Sequence, residues 1–188
     1  MDKATVLARW ATRWRTIMPA AYPCLPLAML LGASGALAQE AAPTPRQIEV
    51  TYTWSATDTV PTLPMGEGHD AFLVETLAVV TSPDGPLAGL AGRCLISGVN
   101  DLATFGYTEA GICVLQDASG DQLWERLEGA TEGNGEPSLG HGTWIGGTGR
   151  FEGASGETDY ANTFAASARA GLYQGTGTKS GTLILPSG

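Results

Sequence analysis

Six glycines punctuate the stretch from Gly142 to Gly156, and β-branched or aromatic residues such as Thr143, Trp144, Ile145 and Phe151 stand between them. Glycine tolerates positive φ and close backbone approach. Gly146-Gly147-Thr148-Gly149 is therefore expected to be a tight reversal between a strand near 138–146 and another near 151–164, with Gly153 and Gly156 relieving crowding just beyond it. A phosphate-cradling loop would need a strand before it, a helix after it and a Lys-Ser/Thr at its end. None of these follows Gly149. The segment is a sheet-building one.

The rest of the chain agrees. Ile48, Val50, Tyr52 and Trp54 alternate with Glu49, Thr51, Thr53 and Ser55, the pattern of a half-buried strand. Thr59 to Gly68, with Pro61 and Pro64, is a loop, and a longer strand from about Asp70 to Thr81 ends at Ser82-Pro83-Asp84-Gly85-Pro86. Further strands are expected near 90–98, 106–116, 121–130, 138–146, 151–164 and 171–185, which makes eight. The alanine-rich stretch Asn162 to Arg169 fits either a helical turn or a strand. No segment carries a sustained helical stripe, and regular strand spacing with many glycines indicates a sandwich or a closed barrel.

The run Gly146-Gly147-Thr148-Gly149-Arg150-Phe151-Glu152-Gly153-Ala154-Ser155-Gly156 resembles the corresponding turn of the allene oxide cyclase and dirigent-like barrels. The resemblance extends over about Cys94 to Leu185. It implies an all-β, eight-stranded antiparallel β-barrel around an apolar cavity. Members that act on substrates hold fatty-acid epoxides or phenolic radicals there, and none of their catalytic residues matches a position of this chain.

At the N-terminus, Arg9, Arg13 and Arg15 precede an apolar run through Leu25, Leu27, Leu30 and Leu31 that closes at Ala36-Leu37-Ala38. A basic segment, an apolar segment and a small-x-small site make a cleavable signal peptide over residues 1–38, with an uncut membrane anchor as the alternative. Residues 39–47, with Pro43 and Pro45, are expected to be a flexible leader, and 48–188 the barrel domain. Localisation is then periplasmic or secreted, with no membrane attachment after cleavage. The remaining 150 residues suffice for one domain, and they carry 6 basic and 18 acidic residues, a formal charge of −12. Such a surface repels nucleic acid and anionic lipid.

Cys94 and Cys113 are the two cysteines beyond the signal segment, each in an expected strand. In an oxidising compartment they favour a disulfide across neighbouring strands, since a metal site wants more ligands nearby and a redox pair is usually Cys-x-x-Cys. Asp117-Ala118-Ser119-Gly120-Asp121 suits a hairpin turn. It also resembles half of a calcium loop, but the twelfth position is Glu128, deep in the next strand. No metal and no cofactor are expected.

His69 and His141 are the only imidazoles; His141, between Gly140 and Gly142, either points into the cavity as an acid or base or is an ordinary strand histidine. Glu75 and Arg93 interrupt apolar strands, as partners inside the barrel or as solvent-facing charges. His141, Glu75 and Arg93 are the catalytic candidates. Trp54, Tyr107, Trp124 and Trp144 are the candidates to line a ligand cavity. Together these features point to an exported barrel that holds a small apolar or aromatic molecule, with a homo-oligomer compatible with it. Its chemistry would be cofactor-free cyclisation, isomerisation or stereocontrolled coupling. The alternative is a structural or interaction module of the cell envelope whose barrel is filled by its own side chains.

Overall fold

The computed structural model describes residues 43–186; the expected signal peptide lies outside them. The strands are β1 (Pro45–Asp58), β2 (Leu63–Pro64), β3 (His69–Val80), β4 (Ala91–Asp101), β5 (Gly106–Gln116), β6 (Gln122–Thr131), β7 (Ser138–Gly147), β8 (Gly156–Phe164) and β9 (Leu172–Ile184). Each of β3 to β8 pairs antiparallel with the next, while β1 pairs with β9 on one edge and with β3 on the other. The eight long strands thus close on themselves. Closure leaves no long unpaired edge, and β2 is only a two-residue addition to β3.

β1 begins inside the stretch assigned to the leader, because Pro45, Arg46 and Gln47 pair with Ile184, Leu183 and Thr182 of β9. The alanine-rich stretch divides: Asn162–Phe164 completes β8, and the following residues form the loop to β9. The largest departure is at the glycine run. The expected tight reversal at 146–149 is replaced by a longer connection with a 3-10 turn over Gly149–Phe151, and β8 starts at Gly156. The cause is Phe151, which turns fully inward and ends up inaccessible to solvent. Backbone bonds from Phe151 N to Thr148 O and from Ala154 N to Phe151 O, both 3.0 Å, wrap the chain around that ring. Gly149 holds the left-handed conformation this requires, at φ +55°.

Phe151 belongs to a floor. Leu87 and Leu90 from the β3–β4 connection, Leu123, Trp144 and Leu183 from the strands and Phe151 make one buried cluster that plugs this end of the barrel. Arg150 ties the three connecting loops beneath it. Its Nε donates to Asp117 Oδ2 at 2.7 Å, its Nη1 to Pro86 O at 3.1 Å and its backbone N to Asp121 Oδ2 at 3.1 Å. Asp117-Ala118-Ser119-Gly120-Asp121 is the hairpin turn, with Asp117 Oδ1 accepting from the backbone N–H groups of Ser119 and Asp121. The hydroxyl of Ser119 and the Arg150 guanidinium together hold the Asp117 carboxyl well below the usual carboxylate range.

Candidate functional site

Above the floor the barrel is not filled. A cavity of about 620 Å³ opens at the end where the β1–β3, β4–β5, β6–β7 and β8–β9 connections gather. Among the inward positions that line it, Ala56 and Ala78 carry only a methyl group. Glycines let large rings lie flat on the wall. Gly129 and Gly140 are cross-strand partners, and a Cβ on either would collide with Tyr160. The Tyr160 ring therefore spans from β8 across β7 and β6, and its hydroxyl donates to Glu109 Oε1 on β5 at 3.0 Å. Tyr52 of β1 likewise lies over Gly177 and donates to Asn162 Oδ1 at 2.7 Å. Cys94 and Cys113 face each other as partners on β4 and β5, are joined by a disulfide, and form part of the same wall.

Nearer the mouth is an aromatic belt. Trp54 and Phe164 meet edge to face at 5.1 Å, Phe164 and Tyr107 at 6.3 Å, and Tyr107 and Phe72 at 6.0 Å, so rings from opposite walls approach across the neck. The lip beyond carries Phe105, 78% exposed and with φ 60°, beside Leu102, Asp101, Asp70 and Asp58.

At the base sits a buried ion pair. The Lys179 ammonium is 2.5 Å from both carboxylate oxygens of Glu125, and the Thr158 hydroxyl donates to Glu125 Oε1 at 3.2 Å. The side chains are 12% and 1% exposed, respectively. Gly142 leaves room for the carboxylate, and Lys179 Nζ also stands 5.2 Å from the centre of the Trp144 ring. A pair so far from water persists only with its remaining polar atoms satisfied.

Burial pushes the Tyr52, Tyr107 and Tyr160 phenols far above their ordinary range, and the Glu109 carboxylate adds to the effect for all three. Burial likewise pushes the Glu109 carboxyl up, with the hydrogen bond from Tyr160 working against it. Ser138 Oγ is buried close to Glu109 and Tyr107. Among the described residues no group of three or more His, Cys, Asp and Glu is placed to hold a metal ion. No helix among them is long and apolar enough to cross a membrane.

Of the residues proposed from sequence, Trp54, Tyr107 and Trp144 line the cavity together with Cys94 and Cys113. The other four do not. Glu75 and Arg93 form an ion pair on the outside of β3 and β4. His141 lies on the outside of β7 between Glu128 and Asp159, with Nδ1 3.2 Å from Asp159 Oδ1. Trp124 lies on the outside of β6 and donates from Nε1 to Gln122 Oε1 at 3.2 Å. The reason is strand parity: Val74, Thr76, Cys94, Glu125 and Gly142 take the inward positions on either side of these residues. The polar residues that do face the cavity, Glu109, Glu125, Tyr160 and Lys179, were not singled out from sequence.

Fold and site together define a closed eight-stranded antiparallel barrel, plugged at one end and hollow at the other. Two solved structures of pterocarpan synthase dirigent proteins are similar to this chain. One, titled for GePTS1, has 14% identity over 83% of this chain and 97% of its own, with a TM-score of 0.43. The other, titled for PsPTS1, has 14% identity over 80% and 99%, with a TM-score of 0.44. The barrel assignment rests on the closed strand ladder of this chain and not on that likeness. No protein-family model and no curated protein matches the sequence.

Proposed function

We propose that this protein is an exported barrel that holds one small apolar or aromatic molecule and directs its reaction without a cofactor. The observation that carries this reading is the open cavity of about 620 Å³, a volume suited to a single small ligand, lined mainly by apolar and aromatic groups with a few convergent polar ones. A barrel serving only as a structural module has no use for such a space, which forfeits packing throughout the wall. The bonded Cys94–Cys113 pair supports residence in an oxidising compartment.

The reaction class is cyclisation, isomerisation or stereocontrolled coupling, in which the walls select one conformer of a reactive ligand. His141, Glu75 and Arg93, the candidates from sequence, lie on the outside of the barrel, away from such a ligand. Their part passes to Glu109 and Tyr160. Glu109 and Tyr160 face the cavity as a hydrogen-bonded pair, the Tyr160 hydroxyl donating to a carboxyl that burial pushes up, an arrangement suited to proton transfer with a bound ligand.

Titration with a neutral phenol such as 4-phenylphenol, followed by tryptophan fluorescence, tests the reading. A saturable 1:1 response is expected that is mostly lost in Trp54→Leu and unchanged in His141→Gln. Absence of saturation at the ligand's solubility limit would remove the basis for the proposal.

A further inference from the structure

We propose that the ligand is an organic cation, an apolar or aromatic body carrying an ammonium group, and that carboxylate ligands are excluded. This deepens the ligand-holding reading above and rests on it.

Six carboxylic side chains line the cavity, Asp58, Asp70, Asp101, Glu109, Glu125 and Glu136, against one cation, Lys179. Lys179 is committed to Glu125 through both carboxylate oxygens. Nothing in the lining offsets the other five. Four of them, Asp58, Asp70, Asp101 and Glu136, stand at the mouth, which every ligand must pass. Asp70 accepts from Asn100 Nδ2 at 2.7 Å, and Asp101 accepts from the backbone N of Ala103 at 2.8 Å, a bond that favours the ionised form of Asp101 without cancelling its charge. The one imidazole nearby, His69, is exposed and paired across the strands with Asp101. A mouth lined with one sign of charge and low-dielectric walls concentrates counter-ions and repels like charge.

Charge at the mouth alone would say little, but the belt beneath it is built from the complementary chemistry. Trp54, Phe72, Tyr107 and Phe164 ring the neck, with centroid separations of 5.1 to 6.3 Å between successive rings. Aromatic faces attract cations electrostatically, and more strongly where water is excluded, which is how aromatic cages take quaternary ammonium groups. A carboxylate reaching the same depth would find no unpaired cation to replace its hydration, since Lys179 is engaged with Glu125. The fatty-acid type of ligand that the sequence resemblance implies is therefore the one this cavity fits worst.

Three naphthalene probes of matched shape test the proposal by calorimetric titration of the purified protein at neutral pH: 1-naphthylmethylamine, 1-naphthylmethanol and 1-naphthoate. The amine is expected to bind about tenfold or more tighter than the alcohol, and the naphthoate weakest. In Asp70→Asn/Asp101→Asn, and in high salt, the amine should lose most of its advantage while the alcohol is unaffected. Equal binding of amine and alcohol, tightest binding of naphthoate, or an advantage that survives the double substitution would each overturn the inference while leaving the ligand-holding reading in place. If none of the three binds, the ligand-holding reading itself falls.

Discussion

Lys179 is the only lysine beyond residue 38, and it lies inside the barrel. Removing one partner of a buried ion pair strands the other. Lys179→Met is therefore expected to cost about 3–5 kcal/mol, and Glu125→Leu/Lys179→Met to recover most of that loss, measured by urea denaturation. Additive losses would show that the pair is not coupled. Glu109 makes a prediction of the opposite sign. Its carboxyl is raised by burial, so as pH rises past the ordinary glutamate range the unfolded chain releases its proton before the folded one, and stability falls. Glu109→Gln does not titrate, so it should match the natural protein near about pH 3 and exceed it near about pH 7. A stability difference independent of pH would contradict the assignment. The parity of these residues was partly legible: a bonded Cys94 facing inward puts Arg93 outside, as a buried Leu123 and Leu127 put Trp124 outside and Glu125 within. Charged residues were weighed as interruptions of apolar strands, which selected positions one step off the inward face.

Among the elements, β1 and the strands from β3 to β6 were legible from alternation and turn chemistry, because most of their inward positions carry side chains. β9, expected over 171–185, runs from Leu172 to Ile184, but its inward face was not legible: Gly175 and Gly177 alternate with polar outward residues, and the apolar bulk that covers them comes from Trp54 and Tyr52 of the neighbouring strand. The β7–β8 connection was misjudged for a related reason: glycines signalled a tight turn, but the demand of Phe151 for burial decided its path. Gly149→Val should therefore destabilise by about 1 kcal/mol or more, since it combines left-handed backbone with a collision against Asp121. An unchanged thermal midpoint would place the turn elsewhere. The β4–β5 disulfide, closing a separation of 19 residues, is expected to contribute about 3 kcal/mol on the chain-entropy model. Denatured, unreduced protein should show no titratable thiol at Cys94 or Cys113; two would refute the bond.

At the scale of the molecule, the two ends of the barrel divide the work. One is closed by loops folded onto Phe151, Leu87 and Leu90 and tied by Arg150; the other is hollow, with the short side chains of Ala56 and Ala78 on its wall. Closure of the sheet was legible from strand count and spacing, but which half is hollow depends on how side chains of different strands share the interior, and no single strand records that. The most direct test is to fill the space. Ala56 is buried, faces the cavity and has open volume before it, so Ala56→Phe should be accommodated without loss of fold. The probe is N-phenyl-1-naphthylamine, a neutral aromatic that brightens in apolar surroundings. The natural protein should bind one equivalent saturably, and Ala56→Phe, with an unchanged circular dichroism spectrum, should not. Saturable binding that survives Ala56→Phe, or no binding by either protein, would contradict a ligand-holding cavity.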